Sequence, residues 1–90
     1  MAREWLFDWD PKKAAANREK HKVSFEEAVT VFTDPHAIFL PDPENEVILG
    51  HSQSSRLLFT VFIEVNGDVI RIISARPATA HERKQYEEQE

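Results

Sequence analysis

Cysteine is absent from the 90 residues, which removes disulfides, thiolate metal sites and a cysteine nucleophile from consideration. Glycine is nearly absent too. With only Gly50 and Gly67, there is no loop to cradle a phosphate and no dinucleotide fingerprint. Nor do elbow glycines flank Ser74 as a serine hydrolase would require. No apolar run approaches the roughly 18–20 residues needed to cross a bilayer. No basic region followed by an apolar stretch opens the chain, so no signal peptide is expected and the cytoplasm is the expected location. The four histidines, His21, His36, His51 and His81, are widely spaced and offer no local ligand pair. A metal or other cofactor is therefore not expected.

What is present describes one α+β domain over residues 1–90. The formal net charge of −5 argues against a nucleic-acid partner. Its distribution softens that conclusion. Six of the 16 acids lie in the loop Asp42–Glu46 and the tail Glu87–Glu90, leaving ten against eleven Lys and Arg. The body is close to neutral, and a local basic patch remains open.

Along the chain, Glu4 to Trp9 alternates, with Trp5, Phe7 and Trp9 on one face, and reads as a short strand. Asp10-Pro11 starts a helix running to about His21, which is short of large apolar residues. Asn17 and His21 lie in reach of one side of it. Lys22 then has to turn the chain without the help of glycine, at a cost of about 1 kcal/mol if it is left-handed. Ser24 to Glu27 forms a capping box, with Glu27 reaching back and Val23 placed to staple onto Ala28. Phe25, Ala28, Val29 and Phe32 follow as a buried stripe. Ala37–Leu40 and Val47–Gly50 read as paired strands, and Leu57–Val65 runs into Asn66-Gly67, a two-residue hairpin signal. The last strand stops at Pro77, and Thr79 and Glu82 cap a final helix to Glu90. The expected architecture is an antiparallel sheet with two helices after the first strand and a third at the C-terminus.

A two-residue turn would set Ile63 opposite Ile70, Val61 opposite Ile72, Phe59 opposite Ser74 and Leu57 opposite Arg76. Phe62 would then face Arg71, with Glu64 as a diagonal partner for a surface salt bridge. Ser74 and Arg76 would share the face of Ile70 and Ile72 at the end where its apolar lining runs out. Arg56 would come close across the ladder. With metal, nucleotide and hydrolase chemistry set aside, metal-free phosphodiester cleavage remains. RNA supplies its own 2′-hydroxyl nucleophile, so the protein needs only a base, a cation on the phosphate oxygens and a proton for the leaving oxygen. An arginine fork suits the second role, and histidine or tyrosine the others.

The stretches F-D-W-D-P-K-K-A-A-A-N-R-E-K-H, V-S-F-E-E-A-V-T-V-F-T-D-P and R-I-I-S-A-R-P-A-T-A-H-E-R-K-Q-Y-E-E resemble the BrnT family. They fall in the same order from Phe7 to Glu88, so the resemblance spans nearly the whole chain. The resemblance implies a RelE-like fold and a ribonuclease toxin of a type II toxin–antitoxin pair. It also implies a BrnA-type antitoxin that silences the toxin and supplies any contact with DNA, and either a homodimer or a heterotetramer with that antitoxin. The family commonly has glycine where this chain has Lys22, so the turn between the helices is expected to differ.

On this reading Arg76 and Arg56 hold phosphate, Ser74 orients it, and His21 or Tyr86 serves as acid or base, with Lys20 and Arg83 along the RNA path. Each has a plainer alternative. Arg76 would otherwise bond backbone carbonyls, Arg56 would be a loop cation, and His21 would cap its helix. Arg83 and Tyr86, one turn apart, would meet the antitoxin or the body of the domain. The rival class is a non-catalytic interaction or regulatory subunit with the same fold, and a weaker third is an RNA-binding domain without cleavage.

Overall fold

The computed structural model describes residues 5–89. In order, the elements are β1 (Leu6–Asp8), α1 (Pro11–His21), α2 (Phe25–Thr30) running into a 3-10 turn (Val31–Thr33), β2 (Ile38–Leu40), β3 (Glu46–His51), β4 (Leu57–Val65), β5 (Val69–Pro77) and α3 (Ala80–Glu87). The expected strand start at Glu4 and helix end at Glu90 lie outside the described residues. The strands form one sheet in the order β1-β5-β4-β3-β2. All neighbours are antiparallel except β1, which runs parallel to β5.

Local chemistry places the helix boundaries. Asp10 caps α1 by accepting the Lys12 N–H at 2.8 Å, and Lys22 ends the helix in the left-handed region at φ 60. Ser24 caps α2 by accepting the Glu27 N–H at 3.0 Å. The expected box does not close, because the Glu27 carboxylate turns to Arg56 and Ser52 instead. The Thr79–Glu82 box of α3 does close in both directions.

The core lies between one sheet face and the α1–α2 layer. It gathers Val23 from the α1–α2 connection and Phe25, Ala28 and Val31 from α2 and its 3-10 turn with Ile48, Leu58, Phe62, Ile70, Ile72 and Ala75 from the strands. Phe7 and Trp9 pack against it from the aromatic face of β1. No side chain of α3 is buried. That helix is fastened instead by polar contacts, chiefly Glu82 to Arg76 and Tyr86 to Asp34.

The β4–β5 register departs from the sequence expectation twice. The turn closes on three residues, so Val65 faces Val69 and Phe62 faces Ile72. Beyond that a bulge at Ile73 shifts the pairing to Val61–Ser74 and Phe59–Arg76. One extra residue in a period of two reverses the faces. Ala75 therefore turns into the core beside Thr60, while Ser74 and Arg76 move to the outer face, away from Ile70 and Ile72. Arg71 now faces Ile63 and forms its ion pair with Asp8 of β1, at 3.0 and 3.1 Å, rather than with Glu64.

Candidate functional site

The end of β5 outruns β1, which pairs only with Val69 to Arg71. Beyond that point α1 closes the open edge of β5 through one side chain. Asn17 donates to the carbonyls of Ala75 (2.8 Å) and Val23 (3.0 Å) and accepts the Ala75 N–H at 3.1 Å. These bonds replace a missing ladder partner and tie the C-terminal half of α1 to the bulged strand. A hollow of about 230 Å³ forms beside them, lined by Lys13, Ala16, Asn17, Lys20, His21, Ile73 and Ser74. The bulge that turned Ser74 outward is thus what brings it to Lys20 and His21.

The two arginines lie at the same end of the sheet, each already holding a carboxylate. Arg76 reaches Glu82 through both terminal nitrogens at 2.8 and 2.9 Å, and its guanidinium lies 4.1 Å over the Phe59 ring. Arg56 clasps Glu27, with Nε to Oε2 at 3.0 Å and Nη2 to Oε1 as the closer arm. It also donates to the Lys22 carbonyl at 2.9 Å, next to His21 in the chain. The hydrogen bonds from Arg56 hold the Glu27 carboxyl below the usual carboxylate range, and those from Arg76 do the same for Glu82. Both guanidinium pKa values rise in turn, chiefly through these bonds. Both groups therefore stay ionised at neutral pH, and the carboxylates offset much of the arginines' field. Each guanidinium still keeps donors in reserve. Nε of Arg76 and Nη1 of Arg56 have no partner among the described residues.

Tyr86 is engaged elsewhere. Its hydroxyl donates to Asp34 at 2.7 Å, and its ring meets the edge of His51 with centroids 5.0 Å apart. Asp34 also accepts the N–H groups of His51 (2.8 Å) and His36 (2.9 Å). Burial pushes the Asp34 carboxyl up, but the hydrogen bonds from His51, Tyr86 and His36 outweigh it and leave its pKa below the ordinary value. Arg83 and His81 are exposed on the polar surfaces of α3 and its first turn. Of the residues singled out in the sequence, the structure brings Ser74, His21 and Lys20 together, with Arg56 and Arg76 at the same end of the sheet. The sequence does not foretell the carboxylates Glu27 and Glu82. The available signal was that each is the acid of a capping box, placed within reach of whatever lies beyond a helix start.

A family model described as "Ribonuclease toxin, BrnT, of type II toxin-antitoxin system" matches residues 9–82. No curated protein matches the chain. Among solved structures, the fold is similar to the 1.1 Å crystal structure of the Brucella abortus ribonuclease toxin, BrnT, with a TM-score of 0.67 at 20% identity. The comparison covers 87% of this chain and 99% of that one.

Proposed function

The chain belongs to the BrnT family of ribonuclease toxins of type II toxin–antitoxin systems, and on that premise we propose that it cleaves RNA at the hollow beside β5, without a metal. His21 takes the proton of the 2′-hydroxyl as that oxygen attacks the adjacent phosphorus. The bond to the 5′-oxygen breaks, leaving a 2′,3′-cyclic phosphate and a 5′-hydroxyl that takes its proton from Lys20 or solvent. Arg76 and Arg56 turn their uncommitted N–H groups to the phosphate oxygens, where charge builds in the transition state. Ser74 orients the phosphate, and Lys20 and Arg83 guide the flanking strand. Tyr86, whose hydroxyl is engaged by Asp34, fastens α3 rather than moving protons. A BrnA-type antitoxin neutralises the enzyme and provides its only link to DNA.

The observation that carries this reading is the shared hollow of Lys20, His21 and Ser74, with Arg56 and Arg76 at the same end of the sheet. The competing reading, a non-catalytic antitoxin-binding subunit, is favoured by one observation: both arginines already hold carboxylates. The test incubates the purified, partner-free chain with total RNA in EDTA, beside His21→Ala and Arg76→Ala. Cleavage by the wild type, with a loss of at least a hundredfold in each variant, is expected. Intact RNA beside a folded wild-type chain refutes the enzyme. Cleavage undiminished in both variants refutes the site.

A further inference from the structure

Strand direction separates charge along the molecule. The β3–β4 loop, the end of β5 and the C-terminal end of α1 meet at one end, carrying Lys20, His21, Lys22, Arg56 and Arg76. The β2–β3 loop and the β4–β5 turn lie at the other, with Asp42, Glu44, Glu46, Glu64 and Asp68. Residues 41–46 and 64–68 contain no lysine or arginine at all. The acids of the β2–β3 loop and the β4–β5 turn thus sit at the end opposite the hollow, whereas Glu27 and Glu82 lie at its own end, bound to Arg56 and Arg76.

On the helix-bearing face, toward this acidic end, a groove of about 480 Å³ opens between Trp5, Phe32, Phe39 and Phe62, with Glu46 and Glu64 on its rim. Phe39 projects from the terminal strand β2 and remains 66% exposed although its ring meets Phe62 edge-on at 6.3 Å. Neither Glu46 nor Glu64 has an ion-pair partner among the described residues. An aromatic trough edged by two uncompensated carboxylates repels a phosphate backbone. It favours a segment that offers an apolar side chain to the rings and cations to the rim.

Resting on the toxin reading above, we propose that this groove is where the antitoxin docks, through a segment that seats an apolar side chain against Phe39 and Phe62 and sets lysines or arginines against Glu46 and Glu64. Attachment at this end leaves the hollow to be covered by another part of the same antitoxin, so anchoring and blocking are separate functions of separate surfaces. Anchoring weakens with salt because its charges lie on an exposed rim.

The test uses the full chain with its cognate BrnA-type antitoxin, measured by calorimetry at two salt concentrations, for the wild type, Phe39→Ser and the double variant Glu46→Lys with Glu64→Lys. These side chains are exposed, so the core is left intact; a thermal melt of each variant checks this. Antitoxin affinity is expected to fall at least tenfold in both variants, while RNA cleavage by the partner-free variants stays at the wild-type rate. Wild-type affinity in both variants overturns the docking site and leaves the toxin reading standing. A wild-type chain that neither cleaves RNA nor binds antitoxin overturns both. A wild-type dimer that Phe39→Ser converts to monomer gives the groove to a second copy of the chain and also overturns the proposal.

Discussion

Replacing Asn17 with alanine tests whether one side chain holds the candidate site together. The substitution removes three hydrogen bonds, two to the carbonyls of Val23 and Ala75 and one from the Ala75 N–H. At about 1 kcal/mol net for each, the loss is about 3 kcal/mol. Alanine's better helix propensity returns roughly 0.5 kcal/mol. Asn17 is only 8% exposed, so water re-satisfies the orphaned groups poorly, and a net loss of about 2–3 kcal/mol is expected. For a domain of this size that lowers Tm by roughly 10–20 °C. Urea unfolding followed by circular dichroism should show a lower midpoint with an unchanged slope. Asn17→Asp supplies the control. It keeps the acceptor for Ala75 N–H but sets a carboxylate against two carbonyl oxygens, so its folded-state pKa rises. Its penalty is larger than alanine's at pH 7 and shrinks as the pH falls toward 4, where the neutral carboxyl can donate. A loss below 1 kcal/mol for alanine, or an aspartate variant indifferent to pH, would refute the reasoning.

Three further outcomes are expected. Gly50→Ala sets a methyl 2.8 Å from the Ala37 Cβ and 3.0 Å from an Asp34 oxygen; that overpacking should cost about 1–3 kcal/mol in urea titrations, and a neutral result would show that β2 gives way freely. Tyr86→Phe removes the 2.7 Å bond to Asp34 and should cost about 1.5 kcal/mol without loss of RNA cleavage; abolished cleavage would return Tyr86 to the catalytic group. Glu27, Asp34 and Glu82 have folded-state pKa values below their ordinary 4.5, 3.8 and 4.5. Their contribution is thus fully present above about pH 5 and is lost as the pH falls through the lowered values. A urea midpoint that stays level from pH 7 to pH 3 would contradict this.

Much of the local structure was legible in the sequence because it rests on short-range chemistry. Asp10-Pro11 starts α1 at the expected residue, Lys22 adopts the left-handed turn, and the alternation turns Phe7 and Trp9 toward the core, while Trp5 at its outer end stays exposed beside the groove. What escaped depends on counting residues across space. Asn66-Gly67 signals a hairpin but not whether the turn closes on two residues or three, and nothing local announces that Ile73 stands unpaired. Those shifts place Ser74 and Arg76 on the opposite face from the one the alternation suggested. Asn17, a poor helix former in the middle of α1 after three alanines, was a visible anomaly; its partner, 58 positions away, was not. Glu27 shows why a motif underdetermines a contact. The capping box offered it a backbone N–H, but a guanidinium on another loop is the stronger partner for a carboxylate.

The clasp between Asn17 and Ala75 also bears on when the hollow comes into being. Its two sides lie 58 positions apart in the sequence, and β1 likewise waits for β5 to pair with Val69. During synthesis the N-terminal helices leave the ribosome long before their strand partner, at an elongation rate of roughly 5–20 residues per second. A nascent chain ending before Val69 has Lys20 and His21 but no Ser74 or Arg76 to meet them, and should show no cooperative unfolding by circular dichroism. Assembly of the hollow therefore waits until synthesis has passed Arg76, and a product truncated before β5 carries Lys20 and His21 without the geometry.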